Sequence, residues 1–153
     1  MVTDMLEILM VEDDREQADL IMDTAKVCRS AIRWGVAEDG EGALERLRRA
    51  ELARPGLVLL DLHLPKLGGI DVLRAIKNDA RLKGMPVIIM SSSRDEADIQ
   101  AVYELGANCY IAKPGSFEGL CSLVRFLEAF LTLPQKGDGA TAPNPGSPAH
   151  SQN

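Results

Sequence analysis

The chain has 153 residues, a formal net charge of -6 and an isoelectric point near 4.9. This length suits one domain that buries its own hydrophobic core. The acidic balance argues against broad nucleic-acid binding, which requires a basic surface to neutralise phosphates. We therefore expect no nucleic-acid partner.

The cysteines and the N-terminal residues indicate the compartment. Cys28, Cys109 and Cys121 are odd in number and have no CxxC spacing, which favours reduced thiols in a cytosol. The apolar run near the N-terminus is too short for a signal peptide or a transmembrane segment. We expect a soluble, cytoplasmic protein without a membrane partner.

Short apolar runs alternate along the chain with segments of helical period. Five strands are predicted, in chain order, at residues 6–11, 32–37, 57–60, 87–90 and 108–112. A helix is predicted after each strand, and the last one shows a clear amphipathic stripe. The residues of that stripe are Leu120, Leu123, Val124, Leu127 and Leu131.

The third and fourth runs are apolar at successive positions, as parallel strands covered on both faces require. We predict an α/β fold with a five-stranded parallel sheet, doubly wound as (βα)5 with right-handed crossovers. The domain should span residues 5–133. Residues 134–153 are rich in Gly, Pro and Ser and predict a disordered tail.

Polar side chains stand at the carboxyl ends of four of these strands. Glu12 and Asp13 follow the first strand, Asp61 the third, Ser91 the fourth and Lys113 the fifth. In an open parallel sheet, ligands bind in the crevice beyond these ends. The pattern predicts an acid pocket with one lysine, suited to a divalent cation and a phosphoryl group.

Ordinary structural roles are the alternatives for these residues. Asp61 could serve as a turn or helix cap, and the acidic pair could lie in a solvated loop with Asp14 or Asp13 capping the first helix. Lys113 could be an exposed surface lysine.

Four motifs occur in order at the strand ends: ILMVEDD at residues 8–14, LLDLHLP at 59–65, IMSSS at 89–93 and YIAKP at 110–114. With them, the chain from Met5 to Leu133 resembles the receiver domain of two-component response regulators. The resemblance implies a flavodoxin-like fold.

The resemblance also implies roles for the acidic residues. Asp61 would be the phosphoacceptor, since its carboxylate can attack phosphorus and form an acyl phosphate. Glu12, Asp13, Asp61 and the backbone carbonyl of His63 would hold Mg²⁺. Many relatives have Asp-Asp where this chain has Glu12-Asp13, so Asp13 is the better direct ligand, and Glu12 would act through water or tune the site.

Roles for four further residues follow from the resemblance. Lys113 would pair with a phosphoryl oxygen, aimed by a cis peptide bond to Pro114. Ser91 would bond another phosphoryl oxygen, and Tyr110 would be the aromatic switch that turns inward in response. His63, two residues beyond Asp61, lies where side chains control the access of water in the family, and its alternative is an exposed loop histidine without such a role.

The implied function is that of a signalling module, rather than a multiple-turnover enzyme. A sensor histidine kinase would transfer a phosphoryl group from its phosphohistidine to Asp61. The chain is similar to stand-alone regulators associated with bacterial phytochrome kinases, so its output would pass to an unknown downstream protein through protein contacts.

We also expect a homodimer, formed through the fourth helix, fifth strand and fifth helix. Phe126, Phe130 and Leu133 are predicted to be exposed apolar residues near the end of the last helix.

Two other classes of protein are alternatives. A pseudo-receiver would act as a docking module without phosphorylation. A hydrolase of the aspartyl-phosphate type would need a second Asp where this chain has His63.

Overall fold

The computed structural model describes residues 6–133. Met5, the first residue of the predicted domain, and the predicted tail at 134–153 lie outside the described residues.

Strands and helices alternate strictly through the described chain, as predicted. The strands are β1 Glu7–Val11, β2 Arg33–Ala37, β3 Leu57–Asp61, β4 Val87–Ser91 and β5 Cys109–Ala112. The helices are α1 Arg15–Val27, α2 Gly40–Arg48, α3 Gly69–Asn78, α4 Glu96–Glu104 and α5 Phe117–Thr132.

The five strands form one parallel sheet in the order β2-β1-β3-β4-β5. The chain runs from β1 to β2 on one side and then returns to place β3 on the other side of β1. The strand order therefore reverses between β1 and β3, and the crevice beyond their carboxyl ends is the expected binding position. In the register of this pair, Val11 lies beside Leu60, so the polar residues that follow both strands are neighbours.

The central strands are buried on both faces, which explains their unbroken apolar sequence. Along β3, Val58 and Leu60 pack in a core cluster with α2, α3 and α4, whereas Leu57 and Leu59 pack on the opposite face with α1 and α5. The sheet is thus covered by helices on both sides, and the predicted doubly wound fold is confirmed.

The amphipathic stripe of α5 was predicted correctly except near its end. Phe130 is buried with only 3% of its surface exposed, and Leu131 is only partly buried. The expectation that Phe130 is exposed was wrong, because the buried face continues from Leu127 by a step of three residues instead of four. Leu133 is exposed, and Phe126 packs partly buried against the core. Within residues 6–133, no helix is long and apolar enough to cross a membrane.

The first helix begins directly after the acidic pair. Asp14 is its N-cap, and the Asp14 side chain accepts hydrogen bonds from the backbone N–H groups of Glu16 and Gln17. The cap satisfies donors that the helix leaves unpaired. It also sets where the chain turns away from the sheet, one residue after Asp13.

Candidate functional site

The carboxyl ends of the strands bring three carboxylates together, as predicted. Glu12, Asp13 and Asp61 each offer an oxygen atom, and these oxygens lie within 4.8 Å of one another. Glu12 and Asp61 are buried, whereas Asp13 is exposed. The cluster therefore has two oxygens held by the protein interior and a third that faces solvent.

Lys113 completes the cluster. Its Nζ lies 3.3 Å from Glu12 Oε1 and 3.3 Å from Asp61 Oδ2. Burial alone would lower the pKa of Lys113, but the negative charges of Asp61 and Glu12 outweigh that effect and raise it above its usual value. The lysine is therefore a fixed positive charge beside Asp61, and its alternative as an exposed surface residue does not hold.

The predicted cis peptide between Lys113 and Pro114 is wrong. No cis bond occurs within residues 6–133, so this bond is trans. The long lysine side chain already reaches both carboxylates from the trans backbone. A trans X–Pro bond is also favoured by about 0.5–1 kcal/mol.

Glu12 is the most perturbed acid of the site. Burial, followed by the negative charge of Asp61, raises the pKa of Glu12 to about 6. Its Oε2 accepts a hydrogen bond from the backbone N–H of Asp14 at 3.2 Å, whereas its Oε1 is buried without a hydrogen bond. A buried carboxylate oxygen of this kind is suited to a cation.

The charges of the cluster also fit a divalent cation. Three carboxylates and one ammonium leave two negative charges when all are ionised. Hard oxygen ligands with room for water on the exposed side of Asp13 match the sparse sites that Mg²⁺ prefers. The residues present therefore fit such an ion.

Asp61 is held in place from two sides. Its Oδ1 accepts a hydrogen bond from the backbone N–H of His63 at 3.1 Å, and its Oδ2 faces Lys113. The N-cap of α3 is Gly68, so Asp61 does not serve as a helix cap. The His63 side chain is exposed at the start of the following loop.

Ser91 and Tyr110 belong to a network beside the acid cluster. Ser91 is fully buried, and its Oγ accepts a hydrogen bond from the N–H of Ser93 at 3.1 Å. The buried Tyr110 donates its hydroxyl proton to the carbonyl oxygen of Ser93. Tyr110 thus joins β5 to the loop that directly follows Ser91, the last residue of β4.

Sequence reasoning missed three residues that hold these groups. A Cβ on Gly69 would collide with the backbone of Asp61 and Leu62, so this glycine lets α3 start against the end of β3. Asp98 accepts a hydrogen bond from the Ser93 hydroxyl at 3.2 Å, and the Tyr103 hydroxyl accepts one from the N–H of Tyr110 at 3.0 Å. The Gly68-Gly69 pair was the only one of these signals visible in the sequence.

Comparison with known proteins identifies the class to which this fold and site belong. Residues 8–125 match the family described as the response regulator receiver domain. The chain belongs to this family, and its acidic pocket has the pattern of a phosphoacceptor site.

Similar proteins cover most of the chain. Response regulator Rcp1 of Synechocystis sp. is 36% identical in an alignment 135 residues long, which covers 83% of this chain and 92% of Rcp1. The phosphorylated cyanobacterial phytochrome response regulator RcpA is 37% identical with a TM-score of 0.75, covering 82% of this chain and 92% of RcpA. The Mn²⁺-bound form of Rcp1 is 34% identical with a TM-score of 0.71, covering 90% and 98% of the two chains.

Proposed function

We propose that this chain is a response regulator that accepts a phosphoryl group on Asp61 from the phosphohistidine of a sensor histidine kinase. The observation that carries the proposal is the position of Asp61. It ends β3 at the point where the strand order reverses, with an ammonium group 3.3 Å from one oxygen and two more carboxylates beside it. This arrangement favours attack on an electrophilic phosphorus over a structural role.

In the transfer, an oxygen of Asp61 forms a bond to phosphorus while the bond from phosphorus to the kinase imidazole breaks. Lys113 offsets the negative charge that gathers on the phosphoryl oxygens. Glu12, Asp13, Asp61 and the carbonyl of His63 would hold Mg²⁺, which supplies further charge neutralisation when bound. The product is the phosphorylated chain itself, so the protein acts as a signal carrier.

We propose that Ser91 and Tyr110 respond to the phosphorylation of Asp61. Ser91 would donate its hydroxyl proton to a phosphoryl oxygen from the end of β4, one residue beyond Met90, which is the partner of Asp61 in the register of β3 and β4. Any shift of the β4–α4 loop toward the phosphoryl group moves the Ser93 carbonyl, which holds the Tyr110 hydroxyl. The signal would thus pass to β5 and its neighbouring helices.

The kinase partner is proposed from the similar proteins. RcpA is described as a phytochrome response regulator, and it covers most of this chain at 37% identity. We therefore propose a bacterial phytochrome kinase in the cytoplasm as the donor. The output would go to a downstream protein, with homodimerisation through α4, β5 and α5.

Phosphorylation by a small-molecule donor tests the proposed function. The purified chain is incubated with acetyl phosphate, with Mg²⁺ or with a chelator, and its intact mass is measured. We expect one added phosphoryl group that requires the cation. Asp61→Asn should gain none, whereas Asp71→Asn, a change to an exposed aspartate on α3, should behave like the wild type. Equal labelling of Asp61→Asn and the wild type would refute the proposal.

A further inference from the structure

Two cysteines far apart in sequence lie side by side on the surface opposite α2 and α3. Cys28 is the C-cap of α1, and Cys121 lies in the second turn of α5. Their sulfur atoms are 3.3 Å apart, and both residues are partly exposed. Neither residue belongs to the acid cluster, so the proposed phosphoacceptor function does not account for this pair.

The surrounding structure holds the two thiols in this position. Helices α1 and α5 pack against each other on the same face of the sheet. Glu128 of α5 accepts hydrogen bonds from the Ser30 hydroxyl at 2.6 Å and from the N–H of Ala31 at 3.0 Å. These bonds join the end of α1 to α5 just beyond Cys28, so the packing of the two helices holds the thiols close together.

We propose that Cys28 and Cys121 form an oxidisable dithiol that closes to an intramolecular disulfide on reaction with a small-molecule disulfide such as oxidised glutathione. Closure requires the sulfurs to approach by about 1.3 Å, from their observed separation to the length of a disulfide bond. Both thiols are partly exposed, so a small disulfide can reach them.

The reaction proceeds by two exchanges. One cysteine thiolate attacks a sulfur of oxidised glutathione, the glutathione S–S bond breaks, and a mixed disulfide and one glutathione thiolate form. The second cysteine then attacks the protein sulfur of that mixed disulfide and releases the second glutathione. The protein pair is oxidised by two electrons, the glutathione disulfide is reduced, and the two cysteine protons end on the two glutathione thiols.

Cys109 provides an internal control. Only 1% of its surface is exposed within β5, and burial raises the pKa of its thiol to about 11. A buried, protonated thiol reacts slowly with disulfides. Cys109 should therefore stay reduced while the other two cysteines react.

The test is oxidation of the full chain with excess oxidised glutathione, followed by intact-mass measurement and peptide mapping without reduction. We expect a mass lower by two hydrogen atoms, a cross-linked peptide pair containing Cys28 and Cys121, and recovery of the thiols with dithiothreitol. Cys109→Ala should give the same cross-link.

Single variants identify the intermediate. In Cys121→Ser, Cys28 has no partner, so the protein should keep one glutathione as a stable mixed disulfide, and Cys28→Ser should keep one on Cys121. A wild-type chain that retains a glutathione on each cysteine would overturn the proposal. So would a wild-type chain that leaves both thiols free, or one that cross-links only between separate chains.

Discussion

Glu12 is a buried acid of the site that lies beside Asp61, the proposed reactive group. Its carboxylate is buried beside Asp61, one oxygen has no hydrogen bond, and Lys113 lies 3.3 Å from that oxygen. Burial and the neighbouring negative charge raise its pKa to about 6, so the metal-free protein takes up a proton there just below neutral pH. A bound cation would replace that proton.

Cation binding should therefore weaken in acid. Below the Glu12 pKa of about 6, protons compete with Mg²⁺, and one pH unit below a pKa leaves only about a tenth of a carboxyl group ionised. We expect protonation of Glu12 to lower the Mg²⁺ affinity, measured by calorimetry, by about tenfold or less between pH 7 and pH 5. Glu12→Gln should bind more weakly at pH 7 and show a flatter pH profile. A wild-type affinity that does not change with pH would contradict this assignment.

His63 is expected to control the lifetime of the phosphorylated state. Its backbone N–H donates a hydrogen bond to Asp61, and its side chain is exposed two residues beyond that carboxylate. An imidazole at this position could either block water or hold it for attack on the acyl phosphate. His63→Ala should change the decay rate of phospho-Asp61 several-fold while leaving Mg²⁺ affinity unchanged. Identical decay curves for the two proteins from pH 6 to pH 8 would mean that the imidazole has no such role.

The charged groups of the site were predictable from sequence because the sheet dictates where strand ends meet. Glu12, Asp13, Asp61 and Lys113 each follow or end an apolar run, and parallel pairing brings those ends to one edge. The carboxylate that holds the neighbouring Ser93 hydroxyl was not predictable. Asp98 acts through contacts that exist only once α4 has packed beside β5, and no local pattern marks them.

Among the secondary-structure elements, α1 begins beside two neighbouring aspartates, Asp13 and Asp14, that have different positions in the structure. Asp14 caps the helix through two backbone N–H groups, whereas Asp13 belongs to the acid cluster. Both possibilities were open from the sequence, since an acidic run before a helix serves either purpose. The hydrogen bonds of the folded chain decide between them.

Two alanine substitutions test this separation. Asp14→Ala should lower the free energy of unfolding by about 1 kcal/mol, the usual effect of losing an N-cap, and leave Mg²⁺ affinity intact. Asp13→Ala should weaken Mg²⁺ binding and change stability little, because its exposed side chain does not cap the helix. Urea unfolding and calorimetry measure both properties. Loss of Mg²⁺ affinity in Asp14→Ala would place that carboxylate in the metal site.

At the end of α5, the helical spacing of apolar residues does not determine which of them is buried. Phe130 and Leu131 stand three and four residues after Leu127, and both spacings lie near the buried face of a helix. Packing against the sheet buries Phe130 and leaves Leu131 at the margin. Helix spacing alone cannot predict which of the two is buried, because burial depends on the space that the neighbouring elements leave for a side chain.

For the whole molecule, the face around the edge strand β5 is the proposed surface for self-association. Tyr103 of α4 and Phe117 of α5 are 41% and 55% exposed on the two helices that flank this strand. Of these, Phe117 lies at the first position of α5, where an acidic substitution is compatible with the helix.

Sedimentation velocity over a range of concentrations tests this surface, with and without beryllofluoride as a phosphoryl mimic. We expect the wild type to form a dimer and Phe117→Asp to shift the equilibrium toward monomer. Leu20→Asp is the matched control, since Leu20 is 49% exposed on α1. A wild type that stays monomeric at all concentrations, or equal dimerisation of Phe117→Asp and the wild type, would contradict the proposed interface.

We propose that Asp61, rather than a neighbouring carboxylate, carries the phosphoryl group. The most direct measurement is reductive trapping after phosphorylation, since borohydride converts an aspartyl phosphate to homoserine and leaves free carboxylates unchanged. Peptide mapping by mass spectrometry then locates the converted residue. We predict conversion at Asp61, dependent on the phosphodonor and on Mg²⁺. Conversion at Asp13 or Asp14, or no conversion in a chain that has gained phosphate, would contradict the account.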